Sequence, residues 1–560
     1  MLVVASFSTM QLRGQTIPVG TPLLEDSYRR AQLLGQIDST ISFTSRPFFP
    51  SAALNLKNSF DPDEDLEKEH SLKFDGTFSF DRNRGFVQLL PITRLKQYNS
   101  HHPEGLNDGA MIPAIGYQFL FSGGFFIKYS LLSIQLRPEA VYAENRAYDG
   151  FPDEFSDQIW ANYSRYLNNI DLPERFGEST YQKLSWGQSS IRLTYSSLSI
   201  GLSNENLWWG PGIHNALLMT NSAPGFKHLT LNTVKPIRTI IGSFEGQIIA
   251  GRLEGSGFTP LGADRMKLHQ NLYVPKPEGW RYINGMVFSY QPRWVPGLFL
   301  GLTRSFYMYR NDMGNSFGDY LPIFDVFRKK VIGEKSEDTR KLDQLVSLFM
   351  RWVWTEEHGE IYFEYGREDH AWDLRDLTLE PSSSAANIIG FRKLFGLNTL
   401  KDEFIQINLE LTQMAMDNTT INRSGGSWYL HHQIVSGYTN EGQMLGAGIG
   451  PGSNSQTLNV SWVKKLKTLG VQFERVVHNN DFHVLALKDN RTDWVDFSIA
   501  LLAEWNYKHL LFNARLESVR AMNYQWLYQP TTKQNCIPVY WNPAKDVFNF
   551  HVQLGVSYRF

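Results

Sequence analysis

Phe548-Asn549-Phe550-His551-Val552-Gln553-Leu554-Gly555-Val556-Ser557-Tyr558-Arg559-Phe560 ends the chain, and its reading decides the fold. Every second residue (Phe548, Phe550, Val552, Leu554, Val556, Tyr558, Phe560) is apolar, whereas Asn549, His551, Gln553, Ser557 and Arg559 are polar and Gly555 is small. Side chains of a strand alternate between its two faces, so this strand has one greasy face and one wet face. Alternation alone suits a soluble sandwich as well as a membrane barrel. A strand so patterned, ending on a free phenylalanine carboxylate, suits lipid on one side and a hydrated lumen on the other.

The last eight residues are also similar to the assembly signal of outer-membrane barrels. The matching positions are a polar residue (Gln553), a glycine (Gly555) and hydrophobic residues third from last and last (Tyr558, Phe560). Outer-membrane lipid and the barrel assembly machinery are the partners such a signal implies.

The two-residue period recurs upstream. Ile191/Leu193/Tyr195 and Leu198/Ile200/Leu202 flank Ser196-Ser197, with Arg192, Thr194 and Ser199 on the other face, which reads as a tight hairpin. Val346/Leu348/Met350/Trp352/Trp354 passes through Glu356 to Gly359 into Ile361/Phe363/Tyr365. Val495/Phe497/Ile499/Leu501/Ala503/Trp505 turns at Asn506 to Lys508 into Leu510/Phe512/Ala514/Leu516. No long helical period interrupts these hairpins, which excludes a parallel α/β fold. The fold class is therefore all-β: a transmembrane antiparallel outer-membrane β-barrel, preceded by a small helical or mixed periplasmic segment. At ~25 residues per strand with its share of loop, residues 111–560 supply about eighteen strands, and an even number is expected.

Composition agrees. The 560 residues carry 54 Lys+Arg against 56 Asp+Glu, a net charge of −2, so no nucleic-acid partner is implied. No run of about eighteen apolar residues occurs, which excludes a helical membrane span. Aromatic residues make up 14% of the chain, as suits the interfacial girdles of a barrel. Cys536 is the single cysteine, with no partner for a disulfide and no paired spacing for a metal or redox site.

Residues 1–15 read as the tail of a secretory signal lacking its basic start, with removal expected near Gln15. Residues 16–110 read as a periplasmic segment leading into the first strands. Within it, Thr21, Pro22, a Leu24/Tyr28/Ala31 stripe and Gly35 predict one short helix. Asp61 to His70 is a charged run expected to be a solvated loop.

Two segments interrupt the strand grammar. Ser203-Asn204-Glu205-Asn206-Leu207-Trp208-Trp209-Gly210-Pro211-Gly212 cannot be strand throughout, because strands do not carry Gly-Pro-Gly. Trp428-Tyr429-Leu430-His431-His432 is followed by Gly437-Tyr438-Thr439-Asn440-Glu441-Gly442-Gln443 and Gly450-Pro451-Gly452, a glycine density that signals tight turns or close backbone approach. Both segments are too long and too aromatic for simple turns and are expected to fold inward or across the mouth. Pyranose C–H faces stack on aromatic rings and amides bind hydroxyls. Asn204, Asn206, Trp208, Trp209, Trp428, Tyr438, Asn440 and Gln443 are therefore candidate polysaccharide-binding residues, with interface anchoring or lumen packing as the competing reading.

No catalytic residue is expected. Ser436 or Ser453 near His431 or His432 would supply the residue types of a hydrolase, yet no nucleophile motif is present. In extended backbone His431 and His432, like His101 and His102, point to opposite faces, so neither pair is expected to hold a metal. No cofactor is implied.

With these blocks in hand, the chain resembles the capsule assembly Wzi family, particularly its Bacteroidetes members. The resemblance rests on Asn206 to Gly212, on Asn221-Ser222-Ala223-Pro224-Gly225-Phe226, and on the Gly437-Tyr438, Gly442 to Gly446 and Gly450 to Asn454 blocks. It implies an eighteen-stranded outer-membrane barrel with a small periplasmic helical element. The role it implies is lectin-like and non-catalytic: holding capsular or exopolysaccharide at the cell surface. A passive porin and a structural subunit working with other outer-membrane proteins are the alternative classes.

Overall fold

The computed structural model describes residues 15–54, 76–82, 84–264, 266, 272–324, 341–368, 378–379, 381–417, 426–489, 491–528 and 546–560. The Asp61 to His70 run, Cys536 and almost all of the expected signal segment lie outside them.

Eighteen antiparallel strands close into a barrel. In chain order they are β1 (Gly85–Asn99), β2 (Gly116–Tyr129), β3 (Leu132–Leu136 and Glu139–Ala143), β4 (Tyr181–Ser185 and Ser190–Tyr195), β5 (Leu198–Ser203) and β6 (His228–Thr233). There follow β7 (Gly242–Leu253), β8 (Arg281–Pro292), β9 (Leu298–Tyr309), β10 (Asp343–Trp354), β11 (Gly359–Glu368) and β12 (Ala385–Asn398). The wall is completed by β13 (Glu403–Gln413), β14 (Asn454–Lys464), β15 (Lys467–Val477), β16 (Val495–Tyr507), β17 (Leu510–Met522) and β18 (Val547–Tyr558). The seam is β18 against β1, from His551 opposite Asn99 to Tyr558 opposite Ile92. A short strand, Thr77–Phe80, pairs with the start of β1 and continues the line of β18 beyond its end. The wall thus begins at Gly85, inside the segment expected to lead into the first strands.

The three hairpins read from sequence are β4–β5, β10–β11 and β16–β17, closing at Tyr195 opposite Leu198, Trp354 opposite Gly359 and Tyr507 opposite Leu510. Outward residues such as Ile191, Leu193, Ile200, Leu348, Phe497, Ile499, Leu501, Phe550 and Leu554 are exposed, whereas inward Arg192, Ser347, Arg351, Asn549 and His551 are buried. Apolar side chains outside and polar ones inside are the inverse of a soluble protein and suit a lipid-facing wall. The turns within β4–β5, β10–β11, β14–β15 and β16–β17 are short and share one rim, while long connections leave the other. Short turns are periplasmic and long loops extracellular in such barrels.

Much of the lumen is filled. Residues 203–226 leave the wall after β5 and cross it: the backbone N–H groups of Ile213, His214 and Asn215 all donate to the carboxylate of Glu410 on β13, at 2.7 to 3.2 Å. Tyr362 on β11 donates its hydroxyl to the same carboxylate at 2.7 Å. Residues 428–453 pack against that crossing, with Tyr429 Oη donating to the Leu217 carbonyl at 2.7 Å and Thr220 N–H donating to the Leu445 carbonyl at 2.8 Å. The resulting core joins plug residues Leu207, Trp209, Leu217, Trp428, Tyr429 and Tyr438 to wall residues Ile249, Ile283, Phe349 and Ile388.

The N-terminal segment also lies inside the barrel. The predicted helix is present as α1 (Pro22–Leu33), with Pro22 in its first turn. It sits within the short-turn rim: Arg30 donates to the Lys465 carbonyl in the β14–β15 turn, and His358 in the β10–β11 turn lies against the Leu33 carbonyl. Ser45 and Arg46 then pair, antiparallel, with Trp209 and Trp208.

Candidate functional site

Along the side of the lumen formed by β13 to β18 and β1 to β3, the plug leaves a cavity of about 770 Å³. Its extracellular end is built by loops. A second helix, α2 (Asp157–Asn168), starts where the Ser156 hydroxyl accepts from Ile159 N–H, and it buries Trp160, Tyr163, Ser164 and Leu167 on one face. That face joins Phe151, Phe482 and Trp526 in an aromatic roof, with Phe151 stacked on Tyr163 at 4.0 Å. Trp494 stacks on His478 at 4.1 Å and meets Trp526 edge-on at 5.1 Å. Tyr148, Trp494, Tyr524 and Trp526 reach the cavity, together with the amides of Asn221, Gln472 and Gln525.

The cavity is also rich in carboxylates: Glu104, Asp108, Glu174, Glu474, Asp496 and Glu517 line it. Arg515 pairs with Glu517 at 2.8 Å and reaches Glu474 at 3.8 Å. Burial, reinforced by the negative charges of Glu517, Asp496 and Glu474, holds Glu104 well above the usual carboxylate range. Asp108 is pushed up to about 6 by burial, opposed by hydrogen bonds from Gln553 and Gln97. Glu174 is pushed up to about 7, again by burial, against a hydrogen bond from the Tyr163 hydroxyl.

The residues expected from sequence divide into two groups. Trp209, Trp428 and Tyr438 come together in the plug core and are at most 1% exposed. Trp209 Nε1 donates to Gln247 on β7 at 2.9 Å, and Trp428 Nε1 donates to the Ser384 carbonyl at 3.0 Å. Asn206 donates to Asn221 Oδ1 and the Ala223 carbonyl, Asn204 to the Gly187 carbonyl, and Asn440 to the Pro224 carbonyl. These amides tie plug segments to one another and, through Asn204, to the wall at Gly187. Trp208 and Gln443, by contrast, line the cavity. Arg46 lies over the Trp208 ring at 5.0 Å, and the indole N–H has no hydrogen-bond partner among the described residues. The Gln443 amide is placed to donate to the carbonyls of Met111 and Ser222.

The residues expected to form the assembly signal lie in or just after the seam strand β18. Gln553 points inward and donates to Asp108 at 2.9 Å, Tyr558 faces outward, and the Phe560 ring meets Tyr558 edge-on at 5.3 Å. Gly555 lies opposite Asn513, whose side chain occupies the space that a Cβ would need.

The serines and histidines considered as a hydrolase do not pair. Ser436 bonds Tyr309 Oη at 2.8 Å, Ser453 donates to the Pro451 carbonyl, and His431 Nδ1 accepts from the backbone of Gln433 and Ile434.

The aromatic roof was not anticipated. Ser156, Asp157 and the Ile159/Trp160/Tyr163/Leu167 spacing did carry a helix signal, but Trp494, Tyr524 and Trp526 sit in loops without periodicity, brought beside residues 148–174 only by barrel closure.

Residues 119–525 match the family described as capsule assembly protein Wzi. Among solved structures, the chain is similar to the Escherichia coli outer-membrane protein Wzi, described as involved in group 1 capsule assembly and as a carbohydrate-binding β-barrel. The TM-score is 0.59 at 13% identity, covering 98% of this chain and 100% of that one. Acinetobacter baumannii OccAB2 aligns with a TM-score of 0.40 at 11% identity, over 86% of this chain and 100% of its own. Pseudomonas aeruginosa OccK7 aligns with a TM-score of 0.39 at 10% identity, over 84% and 98%. No curated protein matches. With the match spanning most of the chain and the whole barrel superimposing on one member, the protein belongs to the Wzi capsule assembly family of outer-membrane barrels.

Proposed function

We propose that this barrel binds capsular or exopolysaccharide at the outer-membrane surface and holds it there non-covalently. The observation that carries the reading is the cavity along the plugged lumen, which Tyr148, Trp494, Tyr524 and Trp526 line together with Gln443, Gln472 and Gln525. Aromatic faces and amides are what sugar rings and hydroxyls require, whereas a lumen crossed by a plug does not suit a passive pore. Direct sugar contact falls to Trp208, Gln443 and the loop aromatics. Trp209, Trp428, Tyr438, Asn204, Asn206 and Asn440 act by holding the plug in shape.

Stacking contributes modestly per ring, so affinity per repeat is weak and retention depends on many repeats of one polymer. Insertion proceeds through the barrel assembly machinery, guided by the C-terminal strand. Purified barrel tested against a glycan array and against intact capsular polymer checks the reading. Polymer bound far more tightly than its short oligosaccharides supports it, and a folded barrel that binds no glycan overturns it.

A further inference from the structure

Among the described residues, one group of three side chains has the composition of a metal site: His102 in the loop after β1, Glu104 two residues on, and Asp496 at the extracellular end of β16. Their nearest ligand atoms all lie within 4.8 Å of one another, with His102 Nε2 at 3.9 Å from Glu104 Oε2. Two ligand atoms sharing a tetrahedral zinc-sized ion stand ~3.3 Å apart, so modest closure of the loop brings this set into range.

An acidic cluster alone would mean little, but His102 supplies a separate indication. Its side chain is 3% exposed, and neither ring nitrogen has a hydrogen-bond partner among the described residues. A buried imidazole in that condition forfeits hydrogen bonds it had in water, unless something else takes up its lone pair. Asp496, in turn, is held in place from behind. Trp494 Nε1 donates to its Oδ1 at 2.9 Å, and His478 Nε2 lies 2.7 Å from its Oδ2. Each carboxylate oxygen keeps a second lone pair, and a ligand fixed by outer hydrogen bonds is the usual build of a metal site. Glu474 and Glu517 add negative charge along the same cavity wall, partly offset by Arg515.

We propose that His102, Glu104 and Asp496 bind one divalent transition-metal ion of the zinc type, with its remaining coordination positions turned toward the cavity that all three line. One imidazole nitrogen with two carboxylates suits such an ion better than calcium or magnesium, which prefer all-oxygen shells. The site stands apart from the carbohydrate reading, and its test needs no sugar.

The purified full-length barrel in detergent, stripped with a chelator, is titrated with Zn²⁺ alone by calorimetry, and in parallel with Co²⁺ followed by visible absorption. One equivalent of Zn²⁺ and a ligand-field band with Co²⁺ are expected. His102→Ala and Asp496→Asn, each first shown to be a heat-modifiable barrel, should lower Zn²⁺ affinity at least tenfold. Absence of stoichiometric Zn²⁺ in the folded parent overturns the site, as does undiminished affinity in the folded His102→Ala barrel. Binding of Ca²⁺ in preference to Zn²⁺ overturns the assignment of the ion.

Discussion

Arg29 of α1 forms an ion pair with Glu360 on β11, its Nε 2.8 Å from the carboxylate, and both side chains are almost wholly buried. Arg351 and Arg392 converge on the same carboxylate at 2.5 and 3.6 Å, and Arg392 also holds Asp26 at 2.7 Å. One glutamate on the wall thus gathers three guanidinium groups, with Asp26 sharing Arg392, and fastens the N-terminal segment. Removing one partner of a buried pair costs about 3–5 kcal/mol, because the other charge is left unpaired. Glu360→Ala is expected to lower the unfolding temperature and to expose residues 16–54 to protease in detergent. A variant as resistant as the parent would show that α1 is held by packing alone.

Opening the α1 contact should also show electrically. In the parent, the plug core and α1 both lie across the lumen, so planar bilayers should record no large, stable single-channel conductance. Glu360→Ala should add flickering openings. Steady porin-like currents from the parent would contradict the occluded lumen.

At the seam, deletion of Phe560, or its replacement by Asp, should reduce membrane-inserted protein severalfold. The ring packs on Tyr558 and seats the end of the closing strand, where a charge on the lipid face is destabilising and the last position of the assembly signal would be lost. Heat-modifiable barrel recovered from outer-membrane fractions is the measure, and parental yield would contradict the prediction.

The wall was legible because lipid imposes one rule on every strand. Ile191/Leu193, Phe497/Ile499 and Phe550/Leu554 alternate outward whatever lies inside, so periodicity alone found their hairpins. The plug follows no such rule. Trp208 and Trp209 are neighbours in sequence, yet one reaches the cavity and the other is sealed against Gln247. Nothing in the dipeptide separates them. The grouping of His102 with Asp496 was likewise hidden. Considered as a local pair, His101 and His102 made a poor metal site, and the residue that completes the set lies at the far end of the chain, brought near by closure of β18 onto β1.

Glu174 makes the extracellular roof sensitive to pH. Its carboxyl, titrating near 7 in the folded protein against 4.5 for an ordinary glutamate, accepts from the Tyr163 hydroxyl of α2 at 2.8 Å. Between these values the folded state binds more protons than the unfolded, so the stabilisation is fully present below about pH 4.5 and is lost as pH rises through about 7. Hydrogen exchange over residues 148–174 should therefore quicken from pH 5.5 to 8 once corrected for intrinsic rates. Glu174→Gln, permanently neutral, should flatten the profile. A parental slope retained in that variant would place the titration elsewhere.

The division of labour between cavity and plug aromatics is open to a direct comparison. Trp209 is wholly buried, so Trp209→Ala removes core volume and its bond to Gln247, a loss of about 3–5 kcal/mol. Its folded fraction should fall before polymer retention per folded barrel does. Trp208 and Gln443 border the cavity, as do Tyr524 and Trp526. Gln443→Ala and Tyr524→Ala are expected to leave the barrel folded while reducing retained polysaccharide on cells severalfold. Because retention multiplies weak contacts over many repeats, a small loss per contact becomes a large loss for the polymer and a barely measurable one for an oligosaccharide. Surface polysaccharide is quantified per folded barrel for each variant. Parental retention in both cavity variants would move the binding site out of this cavity, and a Trp209→Ala barrel that folds normally yet loses the polymer would return it to the buried tryptophans.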